Sequence, residues 1–151
     1  MQILVVAAVR APEGDDLVLA VEQGFRDGGC AVDSLDMRAA VMGAQSGTVD
    51  STVLRRGASA VTGKDLVVVV ADEVSFADAG GPGLRQVSSW AEARAVPVIV
   101  VAGTCQISTR ELRSVGVEAG YGVAAADDVR RIVQTWTGNG GSSAVRVGTV
   151  Q

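Results

Sequence analysis

The sequence predicts an α/β domain, a doubly wound sheet of about five mostly parallel strands with helices on both faces. Three observations carry that class. Gln2 to Val9, Leu66 to Ala71 and Val98 to Ala102 are short apolar runs rich in Val and Ile, the pattern of strands covered on both faces. Between them lie segments whose apolar residues recur at helical spacing. The two kinds of segment alternate along the chain without a long repeat, as successive βαβ units do.

Each element has its own local reason. Asp15 or Asp16 caps a first helix with Leu17, Val18, Val21 and Phe25 on one side, and Gly28-Gly29 ends it. Ala31 to Leu35 is the second strand. Residues 37–63 are interrupted by Gly43, Ser46, Gly47 and Gly57, with about Asp50 to Val61 helical. Pro82 suits the first turn of a helix running to about Arg94, with Leu84, Val87 and Trp90 or Ala91 inward. Ser108-Thr109-Arg110-Glu111 has capping-box form, Gly116 stops that short helix, and Val117 to Val123 is the fifth strand. Asp127 or Asp128 opens the last helix, where Val129, Ile132, Val133 and Trp136 form a core stripe. The result is a Rossmann-like or flavodoxin-like domain over 1–138. A Gly/Ser linker and tail follow over 139–151, where Ala144 to Val150 has the character of an extra edge strand.

Composition narrows the function classes. A chain of 151 residues buries roughly 70% of its unfolded surface, enough for a single core. The net charge of −4, with no clustered basic residues, argues against nucleic acid as a partner. The pairs Arg55-Arg56 and Arg130-Arg131 read as solvated helix faces. No apolar run approaches the roughly 20 residues of a membrane span, and no signal-peptide pattern precedes the first strand, so a cytoplasmic protein is expected. Cys30 and Cys105 have no metal-ligand spacing and read as free thiols.

The chain contains no His, which removes the usual general base and every Ser-His or Cys-His nucleophile. Zinc catalysis loses its usual ligands for the same reason. Ala58 to Lys64 (A-S-A-V-T-G-K) looks like a phosphate loop, but it precedes a strand instead of following one, so a polar turn is expected there. The first strand is not followed by G-x-G-x-x-G, and without those glycines Asp36 reads as a solvated turn residue.

Ligands of such sheets bind where the strands end. Arg10 after the first strand, Asp72 and Glu73 after the third, Gly80, Gly81 and Gly83 around Pro82, and Thr104-Cys105 after the fourth are the candidates at that edge. Free amides at Gly80 to Gly83 suit an anion, a small phosphate or carboxylate, while Asp72 and Glu73 suit Mg²⁺ or a hydroxyl. Cys105 has no base to activate it as a nucleophile.

The order of features resembles the type II glycerate kinase family. The resemblance rests on Asp65 to Val70, Val96 to Gly103 and Arg110 to Tyr121, and on Met1 to Ala7 with Val21 to Arg26 at the start. It implies a Rossmann-like domain, ATP and Mg²⁺ as cofactors, and glycerate as acceptor. This chain departs from the family where the chemistry sits. The family's Asp-Ser-aromatic-Lys segment is Ala7-Ala8-Val9-Arg10 here, its Gly-Glu-Gly-Arg-x-Asp element is Ala71 to Phe76, and its later Gly-Lys is Gly81-Pro82. The family's second domain is missing. Phosphoryl transfer needs cationic and metal groups around the moving charge. The resemblance therefore implies a reduced domain without autonomous kinase activity, which keeps an anion or nucleotide site or serves in assembly, as a homo-oligomer or with a partner protein. One alternative is a compact phosphotransferase completed by an oligomeric partner. Another is a flavodoxin-like or quinone-reductase-like redox domain binding FMN, since Met1 to Met37 also resembles the opening of that group.

Overall fold

The computed structural model describes residues 1–7, 15–36, 51–74, 82–105, 108–124 and 126–137. Strands β1 (Gln2–Ala7), β2 (Ala31–Asp36), β3 (Leu66–Val74), β4 (Val98–Cys105) and β5 (Ala119–Gly122) alternate with helices α1 (Asp15–Asp27), α2 (Ser51–Val61), α3 (Pro82–Ala93), α4 (Thr109–Ser114) and α5 (Ala126–Thr137). The strands form one parallel sheet in the order β2-β1-β3-β4-β5. The expected tail strand at 139–151 lies outside the described residues, as do 37–50.

Both faces of the sheet are buried, which is why the strands read as continuous apolar runs. Leu4, Val6, Val67, Val69, Val98 and Val100 face Val61, Val87, Trp90 and Leu112 from α2, α3 and α4. Ile3, Val5, Val68, Val70, Ile99 and Val101 face Val21 and Phe25 of α1 and Val129, Ile132 and Val133 of α5. On that second face α1 and α5 approach closely, because Gly24 and Gly28 offer no side chain where Val129 and Val133 press in. A Cβ at either glycine would meet a valine methyl at 2.9 Å.

The helix signals act largely as their residue types dictate. The N–H of Cys30 donates to Phe25 O at 3.0 Å, and Gly29 takes the positive φ of 88° that closes α1. Ser108 Oγ accepts the Glu111 amide at 3.2 Å and donates to the Glu111 carboxylate at 3.0 Å, so the reciprocal half of the cap runs between side chains. The last helix opens at Ala126, and Asp128 caps it from the first turn by accepting the Ala124 N–H at 2.9 Å. The A-S-A-V-T-G-K stretch ends α2 and turns into β3, as a polar turn. Arg55, Arg56, Arg130 and Arg131 are exposed. No helix among the described residues is long and apolar enough to cross a membrane.

Candidate functional site

The chain leaves β1 for β2 on one side and builds β3, β4 and β5 on the other. The order of the sheet therefore reverses between β1 and β3, and the connections after those two strands diverge above their carboxyl ends. The edge is also uneven. β5 stops at Gly122, opposite Ala102. β3 and β4 continue together, pairing Ala71 with Ala102, Glu73 with Thr104 and Val74 with Cys105. Three residues at strand rise carry this ribbon roughly 10 Å beyond β5.

This corrects the placement expected for four candidates. Asp72 and Glu73 belong to β3, and Thr104 and Cys105 to β4; none stands in a loop after its strand. Asp and Glu have poor β preference, but the continuing ladder of the partner strand gives their backbone groups hydrogen-bonding partners that a loop would lack. The strand setting also separates the two acids, because consecutive strand positions belong to opposite faces. Glu73 continues the series Val67, Val69, Ala71 on the face of α2, α3 and α4, and its register partner Thr104 shares that face. Asp72 continues Val68 and Val70 on the face of α1 and α5. Among the described residues no three Asp, Glu or Cys gather as a metal-holding group.

Helix starts differ in what they offer an anion. The N-terminal turn of a helix favours negative charge, whether from a ligand or from the protein's own acids. α1 opens with Asp15 and Asp16, α4 carries Glu111, and α5 carries Asp127 and Asp128, which pair with Arg130 at 3.0 Å and Arg131 at 3.4 Å. α3 has no acid in its first turn. It begins at Pro82 with Gly83 next, and it packs on the face shared by Glu73 and Thr104. Arg10, Gly80 and Gly81 lie outside the described residues.

Other features escaped the sequence reading because they depend on tertiary placement. The Trp136 indole N–H donates to the Tyr121 hydroxyl at 2.9 Å, joining α5 to β5. Glu22, buried in α1, accepts the Ser34 hydroxyl from β2. An open groove of about 530 Å³ runs between α1 and α5, floored by Gly24 and Gly28; the Gly24-x-x-x-Gly28 spacing was its one legible signal. Cys30 is a buried free thiol.

No protein-family model and no curated protein matches this chain. Solved structures share its fold. A flavodoxin from Streptococcus pneumoniae is 18% identical with a TM-score of 0.51, over 93% of this chain and 99% of that one. The receiver domain of a Pseudomonas aeruginosa sensor histidine kinase is 18% identical with a TM-score of 0.51, over 91% and 97%. A flavone reductase is 10% identical with a TM-score of 0.55, over 94% of this chain and 64% of its own. Proteins of such different kinds on one fold establish a flavodoxin-like α/β architecture, and function must be argued from the site.

Proposed function

We propose that this chain is a reduced, glycerate-kinase-like domain that binds a small phosphate- or carboxylate-bearing ligand at the carboxyl edge of β3 and β4, without phosphoryl transfer of its own. The observation that carries the reading is the projecting β3–β4 ribbon. It sets Glu73 and Thr104 side by side in register, on the face where α3 begins without an acid. An anion at the Gly80 to Gly83 amides, with a ligand hydroxyl toward Glu73 and Thr104, suits a hydroxy acid or a phosphate ester. Lys64, the single lysine, lies at the opposite end of β3 from this edge. Little is left to stabilise a transferring phosphoryl group. A partner that completes the cleft would be required for kinase activity with ATP and Mg²⁺.

The second reading is FMN binding, favoured by the β2-β1-β3-β4-β5 order that the chain shares with flavodoxins. Against it, Asp15 and Asp16 already occupy the first positions of α1, next to the crevice where the flavin phosphate would approach. Among the described aromatics, Phe25 and Trp90 are buried in the two cores and Tyr121 is bonded to Trp136. Thermal shift with inorganic phosphate, glycerate, ATP–Mg²⁺ and FMN separates the readings. A site ligand at a hundredfold excess over its Kd adds about 2.7 kcal/mol, roughly 5–10 °C in Tm. Stabilisation by FMN alone would overturn the kinase-derived reading. Turnover of glycerate and ATP by the purified chain, abolished in Asp72→Ala, would overturn the silent one.

A further inference from the structure

The two edges of the sheet are guarded unequally. At the β2 edge Asp33 is exposed and paired with Lys64 at 2.9 Å, and Ser34 is tied to Glu22. Charge on an edge strand discourages pairing with another chain. The β5 edge is Ala-Gly-Tyr-Gly, with no charge and no proline. The Val123 N–H donates inward to Ala102 O at 2.8 Å, so by alternation Ala119 and Tyr121 also bond β4 and the backbone groups of Gly120 and Gly122 face outward. Beside them, between β5 and α5, lies a cleft of about 220 Å³ lined by Tyr121, Gly122, Asp128, Arg131, Ile132 and Thr135. This is the flank of α5 turned away from α1, since Val129 and Val133 meet Gly24 and Gly28 on the other side.

Among the described residues β5 has no strand on its outer side. We propose that a second copy of this chain covers the β5 edge, its β5 antiparallel to the first across a two-fold axis. The cleft is self-complementary in charge: Asp128 and Arg131 stand one turn apart at its rim, and a two-fold sets each Arg131 toward the other copy's Asp128. Four residues supply few backbone hydrogen bonds, so the charges and the Tyr121 cleft set the affinity and the dimer is a weak one.

Sedimentation equilibrium of the full chain over a wide concentration range tests this. Wild type is expected to move toward twice the monomer mass as concentration rises. Gly120→Pro removes an outward N–H from the edge strand, where proline is tolerated, and is expected to abolish association. Arg131→Asp, which leaves the strand untouched, is expected to weaken it by roughly tenfold or more. Arg130→Asp, on the opposite flank of α5, is expected to leave it unchanged, with circular dichroism confirming that each variant folds. A wild type that stays monomeric throughout, or a dimer indifferent to Arg131→Asp, overturns the proposal.

Discussion

Gly57 of α2 lies against the indole of Trp90 in α3 so closely that a Cβ at position 57 would fall 2.2 Å from two ring atoms. Replacing a helical glycine by alanine ordinarily gains up to about 1 kcal/mol. Here the added methyl must displace a ring held in the core beside Val61, Val87 and Ala91. Gly57→Ala is expected to destabilise the protein by about 1–3 kcal/mol, the range of core overpacking. Urea unfolding measures it. With Trp90→Leu added, the double variant should cost less than the two single losses combined; simple additivity would mean the contact does not govern the α2–α3 packing.

Ala95, in the turn between α3 and β4, is the one non-glycine residue among those described with a positive φ, 57°. That left-handed conformation costs an L-residue roughly 1–2 kcal/mol, offset in a glycine variant by the greater freedom of the unfolded chain, about 0.4–1 kcal/mol. Ala95→Gly is therefore expected to stabilise by about 0.5–1 kcal/mol. Ala95→Val, whose branched side chain is poorly suited to this region, should destabilise. Chemical denaturation of the three proteins should rank them Gly, Ala, Val; the reverse order would remove strain from the account of this turn.

Glu22 and Ser34 join α1 to β2 through a buried carboxylate. Ser34→Ala leaves that carboxylate without its hydroxyl donor and is expected to cost about 1.5–3 kcal/mol, as for a hydrogen bond to a charged group. Gln23 also bonds within α1, to Asp27 at 2.7 Å, but in an exposed position, and Gln23→Ala should cost less than about 0.5 kcal/mol. Equal losses in the two variants would contradict the importance of burial here.

The strands were legible where both faces are apolar, as in Leu66 to Val70, because burial on two sides leaves no polar position to mislead. Their ends were harder to read. Asp72 and Glu73 look like the start of a loop by residue preference, and only the neighbouring ladder from Ala102 to Cys105 keeps them in a strand. The Glu22–Ser34 bond and the Trp136–Tyr121 bond each link a helix to a strand through residues whose types suggest no partner. For the candidate site, the sequence pointed to the carboxyl edge of the sheet. It paired Asp72 with Glu73, however, where the register pairs Glu73 with Thr104.

Cys30 gives the stability a predictable alkaline limb. Burial pushes its thiol pKa above the ordinary cysteine value; the N-terminal ammonium pulls it down less strongly, and Asp65 adds a further push upward. A raised folded-state pKa means that the folded protein keeps the proton after the unfolded chain has begun to lose it. The stabilisation is fully present below the unfolded thiol value, about 8.5, and is lost as pH rises from there through the folded pKa. Urea midpoints of wild type should therefore fall more steeply between pH 8 and pH 10, on the order of two units spanning that onset, than those of Cys30→Ala. Groups common to both proteins contribute to both slopes. In a Cys105→Ser background, Cys30 should also react slowly with a thiol reagent until urea exposes it. Parallel pH slopes together with rapid native labelling would show that burial does not control this thiol.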